Sequence, residues 1–171
     1  MTPTVVVLVS SRADHLARYV VDAPRIDELA EVPRLLAARP RARGAAVILE
    51  LVGHSSQAGR LLRLGRHLID PLTPATATAL TAWRAPLAAA GVVEVRLLGC
   101  STAVGAFAQR ALALLAARWR VPVAGTRRDL LSIDLAPRGL RPALASRLLV
   151  VASPPGSRPR PPIAALAAAP R

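Results

Sequence analysis

Cys100 is the only cysteine in the 171-residue chain. It directly follows the apolar run Val92-Val93-Glu94-Val95-Arg96-Leu97-Leu98-Gly99. An earlier run ends the same way: Val47-Ile48-Leu49-Glu50-Leu51-Val52-Gly53, and then His54. A thiol and an imidazole are the parts of a nucleophile and its base. In an open parallel sheet, functional groups gather just beyond the carboxyl ends of the strands. If the two runs are neighbouring strands, His54 and Cys100 meet at one sheet edge.

Each residue also has an ordinary explanation. Free cysteine most often packs as a small hydrophobe, and a loop histidine can simply bond a backbone carbonyl. The neighbours favour chemistry. Gly53 and Gly99 would let the backbone turn sharply at each strand end. A helix expected from Ser101-Thr102 would place its amino end at Cys100 and favour thiolate. Backbone N–H groups near Ser55 and Cys100 would serve as an oxyanion hole. No third triad member is evident, because Glu50 lies four residues before His54 and points down the sheet. A Cys-His dyad is therefore expected. His15 and His67 read as surface residues.

Other chemistries fit less well. Three scattered histidines and one cysteine make a poor metal set. Gly-His-Ser-Ser-Gln is not a Gly-x-Ser-x-Gly elbow, and no phosphate-binding glycine loop is present. No cofactor is expected. The net charge is +13, carried by 23 arginines with no lysine. Together with abundant Ala and Pro, this suggests a coding bias more than a functional charge. With aromatic residues only 2% of the chain, no obvious stacking platform runs among the arginines, so nucleic acid is a disfavoured partner.

The elements that must position the pair follow from pattern. Thr4–Ser10, Val47–Gly53, Val92–Gly99 and Val121–Gly125 read as strands, with Leu130–Leu135 and Leu148–Ala152 as weaker ones. Between them, helical spacing runs over Ile26–Ala38, interrupted at Pro33, over Ala75–Ala90 with a kink at Pro86, and over Val104–Trp119. Arg39–Gly44 breaks the first helix. After the turn Ser55-Ser56-Gln57-Ala58-Gly59, Arg60–Gly65 would be a short strand or hairpin arm. The alternation predicts an α/β fold, a three-layer α-β-α sandwich with a mostly parallel sheet. One domain is expected over 1–152, and a flexible Pro/Ala/Arg-rich tail over 153–171. Val5–Val9 is too short for a signal-peptide core, and no stretch is long enough to span a bilayer. A lone cysteine fits a reducing compartment, so a cytoplasmic location is expected.

These motifs resemble the caspase-like cysteine peptidases, the clan of caspases, metacaspases, gingipain, legumain and separase. Bacterial CHAT-type and adhesin-associated caspase-like domains are the most similar. The likeness runs over residues 45 to 135. It is carried by Gly53-His54-Ser55-Ser56-Gln57-Ala58-Gly59-Arg60-Leu61-Leu62-Arg63-Leu64-Gly65, by Leu97-Leu98-Gly99-Cys100-Ser101-Thr102-Ala103, and by Val121-Pro122-Val123-Ala124-Gly125-Thr126. The resemblance implies a caspase-like sheet, His54 as base and Cys100 as nucleophile. It also implies cleavage of a protein partner encoded nearby, in a bacterial defence or cell-death pathway. The family usually has glycine after the histidine, where this chain has Ser55. An acidic loop residue would favour a basic side chain before the cut; Asp22, Asp129 and Asp134 are the candidates. The competing expectation is an inactive caspase-like module that binds a partner through its arginine surface.

Overall fold

Apolar, β-branched runs form the strands, and the breaks between them fall at Pro and Gly. The computed structural model describes residues 3–39, 45–58 and 60–158. The Pro40–Gly44 part of the first break, Gly59 of the small turn and 159–171 of the expected tail lie outside them. The order begins β1 (Thr4–Ser10), α1 (Asp14–Ala17), β2 (Arg25–Ile26), α2 (Glu31–Ala38) and β3 (Val47–Val52). A small meander follows: β4 (His54–Ser55), β5 (Leu62–Leu64) and β6 (His67–Leu68). Then come α3 (Pro74–Thr81), α4 (Arg84–Ala89), β7 (Val92–Leu98), α5 (Ala106–Trp119) and β8 (Val123–Thr126). A 3-10 turn at Ser132–Asp134 leads into β9 (Leu135–Ala136), β10 (Gly139–Leu140), α6 (Pro142–Leu148) and β11 (Leu149–Ala152).

The main sheet has six strands in the order β11-β8-β7-β3-β1-β2. All pairings are parallel except that of β11 on β8. After the short β2 on the far side of β1, the chain crosses back to β3 and then steps outward in one direction, to β7 and β8. Right-handed crossovers taken in one direction put their helices on one face. Accordingly Leu36, Leu80, Trp83, Leu87, Leu112, Leu115 and Trp119 share one core with Val6, Leu8, Leu49, Leu51, Val95 and Leu97. The opposite face is covered more thinly. Leu16 of α1, Leu135 and Leu140 of the β9–β10 hairpin, and Ala145 and Leu148 of α6 pack there on Val7, Val9, Val52 and Leu98.

Several expected elements shift for local reasons. Pro33 lies in the first turn of α2, where a missing N–H costs nothing. The single helix expected over Ala75–Ala90 is two helices, broken at Ala82-Trp83. Pro86 has no N–H for the Ala82 carbonyl, and its ring crowds it, so the break falls four residues before the proline. The weak strand expected at Leu130–Leu135 begins as a 3-10 turn because the Asp134 carboxylate accepts the Leu131 N–H (2.9 Å).

A buried ion network sets the register of the two strands that matter. Glu50 and Arg96 are paired positions on β3 and β7. Arg96 Nη1 donates to Glu50 Oε1 (2.9 Å), and its Nε donates to Glu94 Oε1 (2.5 Å). Leu140 N–H donates to Glu50 Oε2 (2.8 Å), which ties the β9–β10 hairpin to the sheet. Burial is the largest influence on Glu50 and raises its pKa above 4.5, against the lowering effect of Arg96.

Candidate active site

His54 lies four residues after Glu50, and Cys100 four after Arg96. The strand register therefore carries both residues to the same level beyond the sheet. The last parallel pair is Val52 with Leu98, and Gly53 N–H donates to the Leu98 carbonyl (3.0 Å). Adjacent strands lie about 4.8 Å apart, so the histidine and the cysteine emerge side by side. His54 is exposed and Cys100 is partly buried.

The glycines before them serve a purpose the sequence reading did not assign. Neither Gly53 nor Gly99 has a positive φ, so neither is there to permit a sharp turn. They leave room for the meander that folds over the strand ends. A Cβ at Gly53 would overlap the Arg63 carbonyl oxygen of β5 and come 3.2 Å from Ser10 Cβ. A Cβ at Gly99 would lie 2.8 Å from Leu62 Cδ1 and 3.1 Å from the Gly53 carbonyl oxygen. Leu62 and Leu64 of β5 are fully buried.

The meander also orients Ser55. Ser56 N–H donates to the Leu61 carbonyl (2.8 Å), and the pairs Ser55–Leu62 and His54–Arg63 follow. Ladder bonds in an antiparallel pair alternate. The Ser55 N–H therefore points away from β5. Its hydroxyl donates to the Cys100 carbonyl, joining the two strand extensions directly. Ser55 also has no positive φ, so its backbone does not require glycine at this position.

The segment after Cys100 differs from expectation. No helix begins at Ser101-Thr102; α5 starts at Ala106 after Gly105. A helix amino end therefore does not abut Cys100. The amides that would have started a helix are used elsewhere. Ser101 N–H donates to Arg128 O (3.0 Å), Thr102 N–H to Thr126 Oγ1 (3.1 Å) and Ala103 N–H to Thr126 O (2.9 Å). Thr126 Oγ1 donates to the Gly99 carbonyl, and Thr102 Oγ1 to the Leu97 carbonyl (2.7 Å). Ser101 takes a left-handed φ of 57° within this turn. Among the described residues, no hydrogen bond takes up the Cys100 N–H. Thr102 and Thr126 were missed as site residues. Their signal was present: Gly125-Thr126 is a third strand ending of the Gly-x kind.

His15 was also missed, because it reads as a surface residue in a polar loop. It lies on α1, just past the end of β1, and its ring stacks on that of His54 with centroids 4.7 Å apart and planes 27° apart. Burial first, and then His15, pushes the His54 imidazole below its ordinary value of 6.5. His54 is therefore neutral at pH 7 and able to accept a proton. His67 stays outside the site and bonds Glu28 Oε2 (2.7 Å), near Arg66.

The three aspartates fall in different places. Asp129 is exposed beside the cysteine turn and accepts a hydrogen bond from Ser101 Oγ (2.8 Å). Asp134 is buried and occupied: both Arg128 Nη groups donate to it (2.7 Å each), and the arginine holds its pKa below the usual range. Asp22 lines a groove with Thr4, Val5 and Arg39. That groove is at the amino end of β1, the opposite end of the sheet from His54 and Cys100. Of the three candidates, the fold brings only Asp129 to the site with a side chain still open to solvent.

Among the described residues, no group of three or more His, Cys, Asp or Glu side chains could hold a metal ion. No helix among them is long and apolar enough to cross a membrane. No family model, curated protein or solved structure matches the chain.

Proposed function

We propose that the chain is a cysteine peptidase of the caspase-like type, with Cys100 as nucleophile and His54 as base. The observation that carries this reading is the matched pair of strand ends, Gly53-His54 and Gly99-Cys100, on adjacent parallel strands joined by the Ser55-to-Cys100 hydrogen bond. A caspase-like sheet and a cytoplasmic setting that keeps the thiol reduced belong to the same proposal.

The neutral imidazole takes the proton from Cys100 Sγ. The thiolate attacks the carbonyl carbon of the peptide, and the oxygen becomes an oxyanion. The N–H groups of Ser55 and Cys100 are the available donors to it. The imidazolium gives its proton to the leaving amine as the C–N bond breaks, leaving a thioester on Cys100. Water, deprotonated by His54, attacks the thioester; the acid leaves and the thiol is restored. The substrate is a protein partner encoded nearby.

Iodoacetamide labelling of Cys100 across pH, with and without His54→Ala, tests the dyad. The expected result is faster alkylation than free cysteine near neutral pH, slowed by about a hundredfold in His54→Ala, the low end of what a positioned base contributes. A thiol that reacts like free cysteine and ignores His54 would refute it. The arginine surface would then be the better guide to function.

A further inference from the structure

The sheet order places β3 between β1 and β7. The carboxyl ends of these three strands therefore present His15, His54 and Cys100 in a row, with His54 in the middle. We propose that His15 is a positioning residue: its ring stacks on the His54 imidazole from the β1 side and holds it toward Cys100. This inference rests on the peptidase reading.

His15 is well placed for this purpose. It is exposed itself, but its short helix is anchored by Ala13 and Leu16, which are buried. Ala13 N–H donates to the Ser10 carbonyl (3.0 Å), and both Leu16 and Ala17 N–H donate to the Ala13 carbonyl (3.0 Å each). Ser10 in turn is locked to the meander, because Gly65 N–H donates to its hydroxyl (2.9 Å). The two rings thus stand on backbone that is tied together. Parallel, offset rings make a favourable contact that a freely rotating imidazole lacks. Without His15, His54 would be free to swing toward the space beyond β1, away from the thiol. The elements around His54 also carry Arg63 across the hairpin, Arg12 at the end of β1 and Cys100 beyond β7. Of all these groups, only His15 acts on the His54 pKa through its charge, adding to the lowering by burial.

The test uses the full chain with His15→Ala and His15→Phe, alongside His54→Ala. Two quantities are measured: the alkylation rate of Cys100 at pH 8, and the titration midpoint of His54 by NMR. His15→Ala should slow alkylation roughly tenfold, as expected when a reacting group loses its orientation. His15→Phe restores a flat ring without a charge, so it should recover most of the rate. In both variants the His54 midpoint should move up toward 6.5. If alanine and phenylalanine give the same rate, or neither variant changes the rate or the midpoint, the positioning role is overturned. If His54→Ala slows alkylation while the His15 variants do not, only this inference falls. If His54→Ala has no effect, the dyad falls and the role of His15 toward Cys100 falls with it.

Discussion

Arg96→Met removes the one cation from a buried cluster that also holds Glu50 and Glu94. Arg96, Glu50 and Glu94 are 3%, 0% and 3% exposed, so no water compensates the loss. Methionine keeps much of the arginine stem's volume, which separates charge from packing. Removing one partner of a buried ion pair typically costs about 3–5 kcal/mol, a large part of the stability of an ordinary domain. The cost must depend on pH, and its sign can be worked out. The folded-state pKa of Glu50 already lies above 4.5 and rises further when Arg96 no longer lowers it. An acid whose folded pKa is raised destabilises nothing below its unfolded value, and its penalty grows as pH rises through the folded one. Urea unfolding at pH 4 and pH 8 should therefore show a small loss at pH 4, about 1 kcal/mol for lost hydrogen bonds, and the full loss at pH 8. The same variant should alkylate more slowly at Cys100, because the Glu50–Arg96 pair sets the register that aligns His54 with it. An equal loss at both pH values would refute the reasoning, since cavity or packing damage does not titrate.

Two further substitutions test how the site is built. Gly53→Ala forces a Cβ into the Arg63 carbonyl; overpacking against main chain should cost about 2–3 kcal/mol by urea unfolding and slow Cys100 alkylation, whereas a loss below about 0.5 kcal/mol would contradict the close approach. Thr126→Val removes the hydroxyl that accepts the Thr102 N–H and donates to the Gly99 carbonyl, leaving two buried groups unpaired; a loss of about 2–3 kcal/mol is expected, and unchanged amide exchange at Thr102 would refute the network.

The parts of the fold legible in sequence were those set by local apolar runs. Thr4–Ser10 is a strand from end to end, and the runs before His54 and Cys100 are strands that stop just before their glycines. Local pattern also placed the body of α5 and its end at Trp119. What failed depended on contacts distant in sequence. The expected helix start at Ser101 looked sound locally. It is prevented by Thr126 and Arg128, which lie more than twenty residues away and take the amides a first helical turn would have left free. His15 looked like a solvated loop residue because nothing near it in sequence shows that β1 lies beside β3. Only the strand order makes it a neighbour of His54.

The glycines show how a correct expectation can have the wrong cause. Their position before both His54 and Cys100 was visible in the chain, and turning was the obvious reason for it. The backbone angles exclude that reason, and the space around each glycine supplies another. β5 lies so close over the strand ends that no side chain fits at 53, and one at 99 would press on Leu62. The same close approach brings the Ser55 hydroxyl to the Cys100 carbonyl and aims the Ser55 N–H away from the meander. A single packing requirement therefore accounts for both glycines and the bond between the two strand extensions. Position 55 carries no such constraint: the close packing falls on Gly53, and Ser55 only has to reach sideways to the Cys100 carbonyl.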